Sequence, residues 1–178
     1  AGCLRSAYAT YNADRCVFIG NNGSNDGVIT VSDSDAYFRN CLFANNIGNG
    51  RSGVVSAGQK MHFINCTMFG NKTLTGSNHA MALSHKDAQV KNCIIYGNGP
   101  LADSRNTSLS CTVQNTCYPE AVEGNTAGNF AANPLFVDAE NGDFPLQYGS
   151  PCLDAGQELL SVDLDGDERP QDGNADGE

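Results

Sequence analysis

The sequence predicts an all-β fold, a right-handed parallel β-helix of about five coils of roughly 25 residues, with an irregular C-terminal cap. Three observations predict it: a repeated motif that begins with cysteine, short strand-like runs between its copies, and many Asn and Gly residues at the bends. No segment shows the apolar spacing of 3.6 residues that a helix of ten or more residues needs. With 178 residues, the chain is long enough for one domain with a hydrophobic core.

The repeated motif occurs four times and sets the period of the predicted coil. Its copies are Cys16-Val-Phe-Ile-Gly-Asn21, Cys41-Leu-Phe-Ala-Asn-Asn46, Cys66-Thr-Met-Phe-Gly-Asn71 and Cys93-Ile-Ile-Tyr-Gly-Asn98. The four cysteines are separated by 25, 25 and 27 residues. A weaker fifth copy is Cys111-Thr-Val-Gln-Asn115. Such a period is typical of a solenoid in which each coil packs on the next.

Two strand-like runs precede each motif, so that each period holds three short strands. The nearer runs are Ala36–Arg39, Met61–Ile64 and 88–91, and the farther runs are 28–31, 54–57 and 80–83. Because side chains alternate along a strand, Phe38 and Phe63 are expected to point inward. The same alternation places Val17, Leu42 and Ile94 in one outward column, which is unusually apolar. The column is a candidate contact face, although a covering loop explains it equally well.

Two columns of identical residues are expected to form structural ladders. Asn40, Asn65 and Asn92 precede the motif at a corner, where Asn tolerates the left-handed conformation and can bond to the Asn above and below. The ladder cysteines are Cys16, Cys41, Cys66 and Cys93, with Cys111 as a weaker fifth member. Stacked parallel side chains have the wrong Cβ vectors for disulfides, so buried free thiols are expected there.

Three of the eight cysteines, Cys3, Cys117 and Cys152, lie outside this register. Cys117 with Cys152 is the first choice of disulfide, because the bond would clamp the closing segment onto the last coil. A zinc site is not expected, because the sequence contains no CxxC pair.

The motifs resemble a known family. Asn65-Cys-Thr-Met-Phe-Gly-Asn71 resembles the bacterial parallel β-helix repeat of the pectin-lyase-like superfamily. Asn133-Pro-Leu-Phe, Asn141-Gly-Asp-Phe, Gly149-Ser-Pro-Cys-Leu-Asp-Ala-Gly156 and Asp163-Leu-Asp-Gly-Asp167 resemble the closing segment of choice-of-anchor Q domain proteins. The resemblance covers about residues 16 to 178 and implies a secreted architecture, but it implies little about catalysis.

The acidic C-terminus is a candidate calcium site. Its oxygen ligands recur at every second residue and are Asp163, Asp165, Asp167, Asp172, Asn174 and Asp176. Calcium takes six to eight oxygen ligands, and a D-x-D-x-D-G loop can wrap one ion. Bound calcium would have a structural role, and no organic cofactor is expected. The chain is thus divided into β-helix coils (1–115), an irregular last coil with the closing segment (116–160) and an acidic tail (161–178).

Charge and composition limit the functions that the chain can have. The net charge of −10 and a pI near 4.5 make nucleic acid an unsuitable partner. There is no run of 18 apolar residues, so no membrane span is expected. Polysaccharide lyases of this fold use an outward Lys or Arg as base. Arg39 and Lys91 share an outward column, with Asp33, Asp35 and Asp87 nearby, but scattered surface charges explain these residues equally well.

These observations favour a secreted or cell-surface, non-catalytic structural or adhesive module, with other protein subunits or cell-surface glycans as partners. Self-association into a homo-oligomer or filament is one form of this hypothesis. An open strand edge at the first coil needs a cover, and more coils, a cap or another subunit would each supply it. The alternative is a polysaccharide-active enzyme, lyase or hydrolase, or a carbohydrate-binding module. That alternative requires a compact set of outward carboxylates with a base on adjacent coils, which the sequence does not show. His62, His79 and His85 are not spaced as a triad or metal site, and no Ser lies in a nucleophile elbow.

Overall fold

The chain is described by a computed structural model for residues 4–23, 28–32, 34–49, 54–57, 60–74, 81–83, 87–98, 111–121, 127–157 and 160–169. These residues form an all-β structure. The strands are β1 (Leu4–Ala7), β2 (Tyr11–Asp14), β3 (Val17–Ile19), β4 (Asn22–Gly23), β5 (Ile29–Ser32), β6 (Ala36–Arg39), β7 (Leu42–Ala44), β8 (Ile47–Gly48), β9 (Val55–Ala57), β10 (Met61–Ile64), β11 (Thr67–Phe69), β12 (Lys72–Thr73), β13 (Met81–Leu83), β14 (Gln89–Lys91), β15 (Ile94–Tyr96), β16 (Thr112–Gln114), β17 (Phe136–Asp138) and β18 (Asp143–Leu146). Within the described ranges the helical structure is one 3-10 turn, Ala139–Asn141, and no helix there is long and apolar enough to cross a membrane.

The strands build four parallel sheets and one antiparallel hairpin. Sheet A has the order β1-β5-β9-β13, sheet B has β2-β6-β10-β14-β16, sheet C has β3-β7-β11-β15, and sheet D has β4-β8-β12. Strands β17 and β18 pair with each other in the hairpin. We call β1–β4 repeat 1, β5–β8 repeat 2, β9–β12 repeat 3, β13–β15 repeat 4 and β16 repeat 5. Each repeat therefore adds its strands to the parallel sheets in the same order.

The pairing register follows the period of the sequence motif. In sheet B, Phe38 pairs with Phe63, and Phe63 pairs with Val90. In sheet C, Met68 lies between Phe43 and Ile95. Equivalent residues of successive repeats are thus direct neighbours, as the repeat predicts.

The turn between sheets B and C has a left-handed residue in every repeat. Asn40, Asn65 and Asn92 have φ of 51°, 54° and 52°, and Asn115 has φ of 46°. Repeat 1 has Arg15 in this position, with φ of 52°. Asn adopts this conformation at lower cost than most side chains, because its short polar group can bond locally.

The core consists of apolar side chains stacked in columns between the sheets. Phe38 and Phe63 are fully buried, with ring centroids 5.1 Å apart and planes 9° apart. Phe18 stacks on Phe43 at 4.9 Å, and Phe43 meets Phe63 edge to face at 6.0 Å. Each buried Phe contributes about 1.5–3 kcal/mol, and each favourable ring pair adds about 0.5–1.5 kcal/mol. The inward orientation that alternation predicts for Phe38 and Phe63 is confirmed.

A second Asn column, at the other end of the motif, carries a continuous hydrogen-bond ladder. The side-chain Nδ2 of Asn21 donates to Oδ1 of Asn46 (3.0 Å), Asn46 donates to Asn71 (2.9 Å), and Asn71 donates to Asn98 (2.8 Å). Asn46 and Asn71 are completely buried. Each of their Nδ2 groups also donates to a main-chain carbonyl, Phe18 O or Phe43 O, so the amides link neighbouring repeats.

The other Asn column, predicted as a ladder, is bonded less regularly. Nδ2 of Asn92 donates to Oδ1 of Asn65 (3.1 Å), whereas Nδ2 of Asn40 donates to the Asp14 carboxylate at 3.4 Å. Oδ1 of Asn40 is buried without a hydrogen-bond partner. The Asn residues of this column therefore stabilise the turn mainly through their backbone conformation.

The cysteine column lies in the core beside this turn. Cys41, Cys66 and Cys93 are buried free thiols, and Cys16 is a partly buried one. Cys41 donates its S–H to the carbonyl of Arg39 at 3.1 Å, and Cys93 donates to Lys91 at 3.2 Å. Full burial raises the pKa of Cys66 well above its usual value, so this thiol stays protonated.

Repeat 5 differs from its sequence prediction. Strand β16 pairs with β14 so that Thr112 lies opposite Gln89, which puts Cys111 next to Ala88 rather than in the cysteine column. The column position belongs to Thr116, which is fully buried and accepts the N–H of Cys93 through Oγ1 at 3.3 Å. The weaker fifth copy was therefore aligned wrongly. In repeat 5, Thr116 takes the place of the column cysteine, and it follows Cys93 by 23 residues.

The strands of the C-terminal segment, residues 130–157 and 160–169, do not belong to the four parallel sheets, and the segment extends along them. Its hairpin rings Phe136 and Phe144 pack against Phe69 of repeat 3, at 5.9 and 5.7 Å between centroids. Gln157 accepts from Nδ2 of Asn92 in repeat 4. A Cβ on Gly166 would lie 3.0 Å from the Arg15 guanidinium of repeat 1. The segment therefore crosses several repeats.

Candidate functional site

A cavity in the described part of the chain lies between the C-terminal segment and the turns that join sheets B and C. Its volume is about 370 Å³, within the range of small-molecule sites. On one side it is lined by the turn residues Asn65, Asn92 and Asn115. Repeats 3 to 5 build this wall, because their left-handed turns bring equivalent residues together.

The C-terminal segment supplies the opposite wall. Apolar side chains Leu146, Leu153 and Leu160 line it, together with the charged residues Asp163 and Arg169. Several lining residues of this wall are exposed, so the cavity opens to solvent. It therefore has an apolar lining, side-chain amides and groups of both charges.

Two thiols meet in this cavity. Cys117 takes the position of Ile94 in the next repeat, since the two residues form a parallel bridge, and it is 1% exposed. Cys152 lies in the turn 151–154 and is half-buried. The Cys117 thiol donates to Ala132 O at 3.4 Å, and Cys152 lies close enough that each cysteine shifts the pKa of the other. Both cysteines are unbonded in this structure, and their disulfide stays a prediction.

The pKa values of the two thiols are shifted in opposite directions. Donation from Cys152 lowers the pKa of Cys117 from 9.0 to about 7, despite its burial. The pKa of Cys152 is raised, because its ionisation would place a second negative charge beside the Cys117 sulfur.

The acidic loop 163–167 is closed by its own hydrogen bonds. Oδ1 of Asp163 accepts the main-chain N–H groups of Asp165 (3.0 Å), Gly166 (2.9 Å) and Asp167 (2.9 Å). In the described ranges no group of three or more His, Cys, Asp or Glu side chains could hold a metal ion. The other predicted ligands, Asp172, Asn174 and Asp176, lie outside the described residues. Calcium binding therefore stays a prediction.

The outward face of sheet B carries the charged residues considered for catalysis. Ile64 separates Arg39 from Lys91, so their strands are two spacings, or roughly 10 Å, apart. Tyr37 stacks on His62 at 4.6 Å between ring centroids, and the Arg39 guanidinium lies 5.3 Å from the Tyr37 ring. Burial lowers the pKa of His62, which therefore carries little charge at neutral pH.

Of the other candidates for acid–base chemistry, Asp35 lies near this face, because its charge acts to raise the pKa of His62. Asp87 forms an ion pair with Lys60 at 3.9 Å. Asp33, His79 and His85 lie outside the described residues.

The candidate contact face is not a continuous exposed surface. Val17 is 54% exposed, but Leu42 is 7% exposed and Ile94 lines the cavity beneath the C-terminal segment. A cover over this column was one of the alternatives from the sequence, but the covering segment could not be identified, because it follows no period that ties it to a particular repeat. Ile19, in the same strand as Val17, is 48% exposed and was not singled out from the sequence.

Searches against protein-family models, curated proteins and solved structures returned no match to this chain.

Proposed function

We propose that the chain is a right-handed parallel β-helix that serves as a non-catalytic structural module of a secreted or cell-surface assembly. The order of strands supports the fold, because each repeat visits the parallel sheets in the same sequence. Parallel strands joined through other elements are connected in a right-handed sense in about 98% of cases. The resemblance to secreted β-helix proteins supports the location.

The observation that carries the proposed function is the exposed apolar surface of β3 in repeat 1, formed by Val17 and Ile19. Strands β1, β2, β3 and β4 each lie at the end of a sheet and pair on one side only within the described structure. Val17 and Ile19 are half-exposed on β3, and the ring of Phe18 between them is partly exposed at the end of the core. Unpaired strand edges with apolar neighbours are templates for pairing with another chain.

The opposite end of the sheets differs, because the chain covers part of it. Asn115 N–H donates to Ala127 O at 2.8 Å, and Tyr118 N–H donates to Phe130 O at 3.1 Å. Cys117 forms a parallel bridge with Phe130. The exposed apolar residues of β3 favour contact between two copies of repeat 1, and so a closed dimer rather than an open filament.

The face of sheet B supports a non-catalytic role. General base catalysis needs a base within hydrogen-bond reach of the proton and a nearby group that stabilises charge. Arg39 and Lys91 lie two strand spacings apart with Ile64 between them, and Asp87 is already paired with Lys60.

Sedimentation velocity on the wild type and two double variants tests the proposal. The edge variant is Val17→Lys with Ile19→Lys, which adds charge to β3. The control is Leu74→Lys with Val137→Lys, at residues that are 63% and 48% exposed and lie away from this edge. The expected result is a wild-type dimer, a dimeric control and a monomeric edge variant. A monomeric wild type, or equal dimerisation of all three proteins, contradicts the proposal.

A further inference from the structure

The floor of the cavity follows one outward column of sheet C. Thr67 of repeat 3 pairs with Ile94 of repeat 4. Ile94 forms a parallel bridge with Cys117 of repeat 5, and Cys117 forms another with Phe130. All four residues line the cavity. Because neighbouring parallel strands are about 4.8 Å apart, this floor is polar at Thr67 and apolar over the roughly 10 Å from Ile94 to Phe130.

A second polar group lies at the Thr67 end of this floor. Asn65 precedes Thr67 by two residues and also lines the cavity. Its Oδ1 accepts from Nδ2 of Asn92 at 3.1 Å, but its own Nδ2 donates to no residue in the part of the chain that the structure describes. The Asn65 amide therefore has a donor that a ligand in the cavity can use.

Arg169 supplies a positive charge on the same side of the cavity. The loop 163–167, which precedes Arg169, approaches Arg15 of repeat 1, since a Cβ on Gly166 would lie 3.0 Å from that guanidinium. The loop therefore lies towards the low-numbered repeats, and Arg169 follows it closely in sequence. Arg169 lines the cavity, and its guanidinium forms no ion pair with any of the described residues.

The two carboxylates that line the cavity are weak competitors for this charge. Oδ1 of Asp163 accepts three main-chain N–H groups, which offset its negative charge locally. Asp154 is exposed, so water and salt screen its charge. The Arg169 guanidinium and the Asn65 amide thus favour a negatively charged acceptor. A carboxylate fits them well, because a guanidinium can donate two parallel hydrogen bonds to its oxygens.

We propose that this cavity binds a small monocarboxylate with an unbranched alkyl chain. The carboxylate accepts hydrogen bonds from Arg169 and Asn65, and the alkyl chain lies along Ile94, Cys117 and Phe130. Three leucines of the C-terminal segment form the opposite wall. An extended chain advances roughly 3.5 Å for every three bonds, so the eight-carbon chain of octanoate spans roughly 8 Å and matches the apolar floor. Val17 and Ile19 do not line the cavity, so this site goes beyond the proposed assembly.

Nuclear magnetic resonance titration of ¹⁵N-labelled wild-type protein with octanoate tests the site. The expected result is a saturable shift of three signals: the side-chain NH₂ of Asn65, Nε–H of Arg169 and the main-chain N–H of Cys117. Two further probes separate the ends of the ligand: 1-octanol lacks the charge, and butyrate lacks half of the alkyl chain. Each should bind at least about tenfold more weakly, because a charged hydrogen bond or buried apolar area is lost.

Matched substitutions test the polar end. Arg169→Gln should weaken octanoate binding about tenfold, because it removes the charged donor. Arg39→Gln is the control and should bind as the wild type does, since Arg39 lies on sheet B and does not line the cavity. Asn65→Asp keeps the acceptor for Asn92 and a residue that tolerates the left-handed turn. It should weaken octanoate binding more than tenfold by charge repulsion, while its affinity for 1-octanol stays unchanged and shows that the cavity is intact.

Three results would overturn the proposal: no saturable shift of the wild type at millimolar octanoate, equal affinity for octanoate and 1-octanol, or shifts confined to residues away from the cavity. Equal affinities of Arg169→Gln and Arg39→Gln would contradict the role of Arg169. The wild-type titration decides by itself, so a variant that fails to fold does not remove the test.

Discussion

Replacement of Asn71 by Leu should be among the most destabilising single changes in the protein. Leu has nearly the same shape as Asn but makes no hydrogen bonds. Asn71 is fully buried; its Oδ1 accepts the main-chain N–H of Asn46 at 3.0 Å, and its Nδ2 donates to Phe43 O at 2.9 Å. Asn71→Leu removes both contacts and interrupts the side-chain ladder between Asn46 and Asn98.

The expected size follows from the groups that lose their side-chain partner. A buried polar group left without a hydrogen bond costs about 1–3 kcal/mol. Two main-chain groups are affected, so the free energy of unfolding should fall by about 3–5 kcal/mol. In a domain of this size the midpoint of thermal unfolding should fall by roughly 10 °C.

Urea unfolding followed by circular dichroism measures this change. The control is Asn22→Leu, because Asn22 is exposed in β4, and its free energy of unfolding should change by no more than about 0.5 kcal/mol. A loss below about 1 kcal/mol for Asn71→Leu would refute the ladder as a main source of stability.

Three further changes test other parts of the structure. Gly70→Ala should destabilise more than Gly20→Ala: both glycines have positive φ, 63° and 65°, but only at Gly70 would a Cβ collide with the Asn45 side chain. The difference between the two losses in free energy of unfolding, measured with urea, gives the cost of that collision. Equal losses would contradict the close packing of Gly70 against Asn45. Phe63→Ala should cost about 3–5 kcal/mol in the same assay, because a fully buried ring is lost from the stack on Phe38. Alkylation of Cys117 by iodoacetamide should accelerate as pH rises with a midpoint near 7, since its pKa is lowered to about 7, and Cys152→Ser should move that midpoint up towards 9.0. Because the pKa of Cys117 is lower in the folded protein, its ionisation should add stability as pH rises from 7 towards 9.0, and this contribution is lost as pH falls through 7.

The parts of the fold that repeat could be predicted from the sequence. A 25-residue spacing between cysteines fixes which residues become neighbours, and alternation then places Phe38 and Phe63 inside. A left-handed turn at Asn40 follows from the conformational freedom of Asn.

The parts of the structure that do not follow the repeat could not be predicted from the sequence. From the sequence, Asn71 was identified only as the last residue of a motif. Its buried hydrogen bonds could not be predicted, because they depend on partners in neighbouring repeats. Thr116 replaced Cys in a shortened repeat, so a motif search for Cys selected Cys111 instead. The cover over Ile94 and the cavity arise from contacts distant in sequence, which no local pattern encodes.

A crystal structure of the wild-type protein tests the central claim, the right-handed parallel path of the chain, most directly. The electron density should show the repeats advancing in a right-handed sense, with Phe38 stacked on Phe63 and Asn46 bonded to Asn71. A left-handed path, antiparallel pairing between the repeats, or a register in which Phe38 does not lie beside Phe63 would contradict it.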